Sequence, residues 1–407
     1  MKKRVIALLL VLALALSFAA CGPKTEETTG EAPAPQGETF KLGAYFQLTG
    51  GNSAYGNEAW NGVQLAVKYI NENGGMNGMP IETVVYDTQG SPEEAVKVVT
   101  KMIQNDNINA CIGSINSGDV LAAAPYLNKA GIYNIGLGTA ASWMKEDWPF
   151  VFRPTMNNDT ATPLCADLLA ELDYKTVGII NGMDDASFGT ANSFQAMCEE
   201  RKIEVVAREQ FEATDTDYSA QIAKILAAEP DCVYIAVIGD VGGPMIKQLR
   251  QNGYKGIIFD KESFMASQIE IAGAEASNYI AFANPYVTYK TVEECDIPIV
   301  KEYLQRYQDE YGKMVETDSA YRGWDGMMVI WEAGKIAGSN ESDALREATH
   351  KVVIDGLGGK LDFTKGNREG YNEFNKFILV DGKNILWSKW VEGGGYDAFK
   401  TATGRDK

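Results

Sequence analysis

Histidine is almost missing from these 407 residues: His350 stands alone in the charged helical run Asp343 to Lys351. An imidazole-based catalytic triad and a histidine-built zinc site are therefore excluded. Thiol chemistry is equally thin, since the six cysteines form no CxxC pair and no histidine-rich stretch accompanies them. Cys111 and Cys232 sit in apolar, strand-like runs where cysteine behaves as a small buried hydrophobe, while a single disulfide, such as Cys165 with Cys198, stays open. Long apolar runs are confined to Val5–Leu16, too short for the roughly 20 residues a membrane-crossing helix needs. Positive charge is scarce too: 37 basic against 55 acidic residues give a net charge of -18, which repels phosphate backbones and excludes nucleic acid as a partner. Carboxylates are plentiful, but no pair is marked out as a glycosidase acid and nucleophile, so an enzyme is the weaker reading.

What is present begins with an address. Lys2, Lys3 and Arg4 precede the apolar run, and Ser17-Phe18-Ala19-Ala20-Cys21 follows it, the layout of a signal peptide over residues 1–20. Small residues directly before Cys21 resemble the lipobox of bacterial lipoproteins, which implies an acylated Cys21 as the new N-terminus. Residues 21–39 hold proline, threonine and glutamate with almost nothing to bury, and read as a disordered tether. Losing residues 1–20 takes the net charge to -21, so the lipid alone would hold the chain at the outer face of the membrane, in the periplasm if the source is Gram-negative.

From Phe40 onward strand-like and helical periods alternate, the pattern of parallel sheets covered by helices. Leu42–Phe46 reads as a strand, and the next helix sets Ala59, Val63, Ala66, Val67 and Ile70 on one stripe. Ser91-Pro92-Glu93-Glu94 combines a capping serine with proline at the first helical position. Strands are expected at Ile81–Tyr86, Ala110–Gly113 and Ile132–Ile135, then, in a second unit from Asn158, at Thr176–Ile180, Ile203–Arg208, Cys232–Ile238 and Gly256–Phe259. Helices follow at Ile299–Tyr311 and Ser319–Ala337, and strands at Lys360–Phe363, Phe374–Leu379 and Ile385–Trp390. The fold class is α/β: two doubly wound parallel-sheet lobes in series.

Leu48-Thr49-Gly50, Tyr55-Gly56, Gly62 to Ala66, Ile70-Asn71-Glu72-Asn73-Gly74-Gly75 and Val85-Tyr86-Asp87 follow in family-like spacing. Together with Cys111 to Ser114, Val151-Phe152-Arg153-Pro154, Ser187-Phe188-Gly189 and Asp217-Tyr218-Ser219, they resemble the type I periplasmic binding proteins, in particular the leucine/isoleucine/valine-binding subfamily. The resemblance spans nearly the whole mature chain. It implies lobe I at residues 40–155 plus 286–378 and lobe II at 156–285 plus 379–407, with crossings near Thr155, Pro285 and Leu379. It further implies a small molecule, an amino acid with a branched-chain or similar apolar side chain, held between the lobes of a monomer and passed to the permease of an ABC importer, with no cofactor and no metal. The alternative is a sensor-type binding protein for an amide, a urea-like solute or an aromatic acid.

An amino acid presents a carboxylate, an ammonium and a side chain, each needing its own wall. Asn116-Ser117-Gly118 opens a helix after a strand, so free N–H groups and the Ser117 hydroxyl suit the carboxylate, although a plain helix cap would satisfy the same residues. The resemblance assigns Ser117 that role and gives Gly138 and Thr139 a second binding loop, where a bare glycine-rich turn is the alternative. It also points to Glu262 for the ammonium, with Asp260 as a rival and a solvated loop acid as the alternative. Tyr55 and Phe188 match aromatic positions of the pocket, and Ile238 stands where branched-chain binders carry a tyrosine. Trp60, Asp185 and Asp325 are secondary candidates: Trp60 doubles as a core anchor of its helix, and Asp325 as a cleft group or a turn cap.

Overall fold

The computed structural model describes residues 38–51, 53–183, 185–212, 214–237, 241–260, 266–371 and 375–405. The signal segment, Cys21 and its tether, Ile238 and Glu262 lie outside the described residues.

Two sheets carry the chain. The first is made of β1 (Phe40–Phe46), β2 (Ile81–Asp87), β3 (Ala110–Gly113), β4 (Tyr133–Ile135) and β5 (Val151–Phe152), all parallel and ordered β2-β1-β3-β4-β5. The second takes β6 (Thr176–Gly182), β7 (Glu204–Phe211), β8 (Cys232–Ala236), β9 (Ile258–Asp260) and β10 (Ile280–Ala283), with the parallel order β7-β6-β8-β9-β10. Both orders are the same doubly wound arrangement, and each has one switch point: between β1 and β3, and between β6 and β8. β1, β3 and β8 are buried along almost their whole length, which is why they read as unbroken apolar runs instead of alternating ones.

The last part of the chain departs from the expected layout. β11 (Val353–Gly356) and β12 (Gly359–Asp362) form a separate hairpin, and β13 (Lys376–Val380) with β14 (Lys383–Leu386) extends the second sheet in antiparallel fashion. That sheet is therefore mixed. Leu379, expected at a crossing, pairs with Ile280 inside the second sheet, so the chain has already re-entered lobe II by Lys376. The strand expected over Ile385–Trp390 stops at Leu386 and continues as the helix Trp387–Glu392, because Trp387 and Trp390 are three apart and bury on one helical face. Cys165 and Cys198 are free, buried thiols, as are Cys111, Cys232 and Cys295, so no disulfide staples the described residues.

Lobe I is closed on one side by two helices that touch backbone to backbone. Ser53–Glu72 opens with the Tyr55-Gly56 turn and crosses Ser319–Ala337, where a Cβ on Gly62 would lie 1.9 Å from the Ala320 carbonyl oxygen and one on Gly323 would lie 2.2 Å from that of Ala59. Only glycine permits this approach. Gly62→Ala is expected to force the helices apart and cost about 1–3 kcal/mol, the usual range for overpacking, read as a lowered Tm; an unchanged melting curve would show that the contact is looser than described here.

Candidate functional site

The first switch point is where the predicted residues of lobe I, Asn116, Ser117, Gly138 and Thr139, gather. Gln47, immediately after β1, is almost fully buried and accepts from Asn116 Nδ2 on its Oε1 at 2.8 Å. Its backbone leaves no room beside Gly56, where a Cβ would meet the Gln47 carbonyl oxygen at 1.9 Å. Gln47, which the sequence reading missed, thus ties the Tyr55-Gly56 turn to the loop after β3. Its only trace in the sequence is a polar residue ending an apolar strand.

Asn116 precedes the helix Ser117–Lys129 and caps none of its N–H groups; its Nδ2 donates to Gln47 instead. Ser117 Oγ accepts from the Ala140 N–H at 3.1 Å, which pins the second loop to the first. A hydroxyl carries one proton and two acceptor sites, so Ser117 retains a proton to donate. Gly138 is packed so closely that a Cβ would sit 2.6 Å from Ser117 Oγ. Asn116, Ser117, Gly138 and Thr139 therefore share one place, with Thr139 half-buried beside it. Just inside, Asp119 accepts from Thr88 Oγ1 at 2.7 Å and Ser114 Oγ at 3.1 Å, and its burial raises its pKa.

On lobe II the helix Asp185–Glu200 begins after β6, at the second switch point. Phe188, in its first turn, is 43% exposed, with the Arg208 guanidinium 5.2 Å from its ring centroid. Asp185 opens that same helix. Asp260 ends β9, buried, and its carbonyl oxygen lies 3.6 Å from Cys165 Sγ. Trp60 packs on Phe46, ring centroids 6.2 Å apart, as a core anchor.

Asp325 lies elsewhere. Fully buried in the helix Ser319–Ala337, it accepts from Tyr286 Oη and Tyr371 Oη, each at 2.8 Å, and from the Leu357 N–H at 3.0 Å. Tyr286 stands three residues beyond β10 and Tyr371 five before β13, so one carboxylate holds two of the segments that run between the lobes. The remaining segment is fixed by Arg153, which pairs with Glu369 and donates to the Ala140 carbonyl at 2.7 Å, while Asn157 Nδ2 donates to Glu369 at 3.1 Å. These residues were missed as a group. The one available signal was an arginine inside the apolar run Val151-Phe152-Arg153-Pro154.

The model of the family described as "Periplasmic binding protein" matches residues 39–377. The chain belongs to that family. This family member is of type I, in the leucine/isoleucine/valine-binding subfamily, and is a binding protein and not an enzyme. It is 23% identical over 338 residues to the leucine-, isoleucine-, valine-, threonine- and alanine-binding protein of Pseudomonas aeruginosa, covering 82% of this chain and 88% of that one. Among solved structures it resembles the branched-chain amino acid transporter substrate-binding protein LivJ of Streptococcus pneumoniae in complex with isoleucine (25% identity, TM-score 0.69, 86% of this chain and 100% of that one). A solute-binding protein of R. palustris in complex with benzoate shares the fold at 20% identity, TM-score 0.69, with 86% and 96% covered.

Burial pushes the Asp325 carboxyl up to about 6 from its ordinary 3.8, against the donors that favour its charged form. A carboxyl whose pKa rises on folding stabilises the native state most when protonated. Its contribution is full below about pH 4 and is lost as pH rises through about 6, a change on the order of 3 kcal/mol. Asp325→Asn removes that proton linkage while keeping an acceptor. Relative to the parent, the variant should gain stability steadily between about pH 4 and 7 in paired melting curves; a difference independent of pH would mean that Asp325 does not titrate in this range.

Proposed function

We propose that this protein captures a small amino acid with an apolar side chain between its lobes and delivers it to the permease of an ABC importer. The observation that carries the reading is the joined pair of loops at the β1/β3 switch point. There the Ser117 hydroxyl, the uncapped N–H groups opening its helix and the Gly138-Thr139 backbone converge on one spot. Such a spot suits a carboxylate, because helix N-termini offer unpaired donors and a favourable dipole. The relatives named above, two of which bind branched-chain amino acids by title, support the same class.

In this reading the solute settles first on lobe I, and lobe II then covers it with Phe188, Ile238 and Glu262. Closure responds to the solute only as far as the closed form binds it better, so the lobe II contacts set the response. Micromolar affinity would correspond to about -8 kcal/mol, within reach of a few charge-assisted bonds and an apolar pocket. Ser117→Ala should weaken amino-acid binding by about 1–3 kcal/mol, roughly 5- to 150-fold, by leaving the carboxylate short of a donor. Glu262→Gln should harm amino acids and spare ligands without an amine. Calorimetry on a panel of the twenty amino acids, small amides and benzoate checks both, and an unchanged Ser117→Ala affinity, or equal losses with and without the amine, would remove the respective residue from the site.

The chain is exported and, in the same proposal, acts as a monomer held to the outer face of the membrane by lipid on Cys21 alone. Cys21→Ser should then release the protein from the membrane fraction of expressing cells into the soluble one; retention in the membrane fraction would rule out this anchor.

A further inference from the structure

Lobe I carries a cavity of about 270 Å³ of its own, apart from the loops at Ser117. It lies between the helices Pro298–Tyr311 and Ser319–Ala337, with Tyr69 of the helix Ser53–Glu72 and with Ile354, Asp355 and Leu357 of the β11–β12 hairpin completing the wall. No described residue of lobe II lines it, so it is distinct from the cleft in which the amino acid is proposed to lie. The volume equals about nine waters at roughly 30 Å³ each, which is room for a compact solute.

The wall is largely aromatic, with Tyr69, Tyr303, Trp324 and Trp331 all contributing. Trp331 is held by its Nε1, which donates to the Gly75 carbonyl at 3.2 Å, and it meets Tyr69 edge to face with centroids 5.9 Å apart. Ring faces carry negative potential, and the chain has already set cations on two of them. Lys335 Nζ lies 4.2 Å from the Trp331 centroid, and the Arg306 guanidinium carbon lies 4.9 Å from that of Tyr69. The charges at the rim point the same way. Glu302 pairs with Arg306 at 3.0 Å and Glu332 with Lys335, whereas Asp355 has no ion pair among the described residues. Lys360, directly across the hairpin from Asp355, does not line the cavity. Three carboxylates against two cations leave one negative charge over, and the carboxylate without a partner is Asp355. Lys335 is not confined either: its side chain is 47% exposed, so the flexible stem can swing off Trp331 into water.

We propose that this cavity binds a small organic cation of the quaternary ammonium class, held by the faces of Trp331 and Tyr69 and by the Asp355 carboxylate. A fully methylated nitrogen suits the wall because it asks for no hydrogen-bond acceptor and is drawn to ring faces by charge alone. The Lys335 ammonium marks the place the ligand takes: on binding, the lysine gives up Trp331 and the ligand nitrogen replaces it there. The site does not depend on the amino-acid reading, because it shares no residue with the Ser117 and Gly138 loops or with Phe188.

The test is calorimetric titration of the full mature chain with tetramethylammonium and choline chlorides. The controls are sodium chloride at the same ionic strength and 3,3-dimethylbutan-1-ol, the uncharged carbon isostere of choline. Both organic cations should bind, at roughly millimolar concentration because each ring contributes modestly, and neither control should. Asp355→Asn should weaken binding roughly three- to five-fold. Lys335→Ala should tighten it by about as much, since it clears the Trp331 face and frees Glu332; an aromatic cluster that serves packing alone gives no such gain. Trp331→Ala should abolish binding, and Trp331→Phe, which keeps a ring with a weaker face, should give an intermediate loss even where the alanine variant fails to fold. A single cooperative melting transition shows that each variant is folded. The proposal is overturned if neither cation binds, if choline and its isostere bind alike, or if Asp355→Asn and Lys335→Ala both bind choline as the parent does.

Discussion

A guanidinium with no exposure to water has to be answered where it lies, and the arrangement of the lobes follows from how Arg153 is answered. Leaving such a charge unpaired costs several kcal/mol, which no ordinary packing gain offsets. Arg153 is held by Glu369, by the Ala140 carbonyl and by the face of Trp143, its guanidinium carbon 4.7 Å from the ring centroid. The backbone joins in, since the Arg153 N–H donates to the Arg368 carbonyl at 3.0 Å and the Gly370 N–H donates to the Arg153 carbonyl at 2.8 Å. Two of the connecting segments are in this way fastened side by side, and Tyr371 passes the connection through Asp325 to Tyr286 on the third. All three leave lobe I as one braced unit. Any movement of lobe II has to be taken up by the few backbone angles beyond these anchors, as hinge motions generally are.

The same bracing reaches the binding loops. The carbonyl of Ala140 answers Arg153, and its N–H answers Ser117, so one peptide group at each end of a residue links the charge that organises the junction to the hydroxyl proposed to meet a solute. Gln47 does the equivalent for the Tyr55 turn. Lobe I consequently presents a surface whose parts are mutually fixed, and fixed donors lose little entropy on binding.

The strands of the two parallel runs were legible in the sequence because their burial on both faces turns each into a short apolar block, as with Ala110–Gly113 and Cys232–Ala236. The helix stripe from Ala59 to Ile70 and the cap at Ser91 were legible for equally local reasons. Placement after Pro285 was not. Whether Lys376–Val380 joins the first or the second sheet depends on the partner it meets, Ile280–Ala283, and nothing local to either segment records that pairing. Trp387 and Trp390 show the related ambiguity of period, because two apolar residues three apart serve a strand end or a helix face until a neighbour decides. At the site, the strand-then-helix opening at Asn116-Ser117-Gly118 was legible locally, while the roles of Ser117, Gly138 and Thr139 came from the resemblance; Gln47, Arg153, Glu369 and the Asp325 tyrosines act across separations that sequence spacing does not encode.

This division explains why kinship fixes the architecture of this chain more firmly than its solute. The architecture rests on apolar strands and on a buried charge network, both intolerant of change, since a cavity or an orphaned charge costs several kcal/mol. In the proposed reading the solute is met by side chains on the loops past the strand ends, Tyr55 and Phe188 among them. Structures that share the scaffold at 20–25% identity accordingly hold isoleucine in one case and benzoate in another. The group common to those two solutes is a carboxylate, and the proposed place for it is the part of the lobe I surface that the Arg153 network keeps rigid. What differs between them is the rest of the molecule, which in the same reading falls to side chains such as Phe188, exposed on lobe II and outside that network.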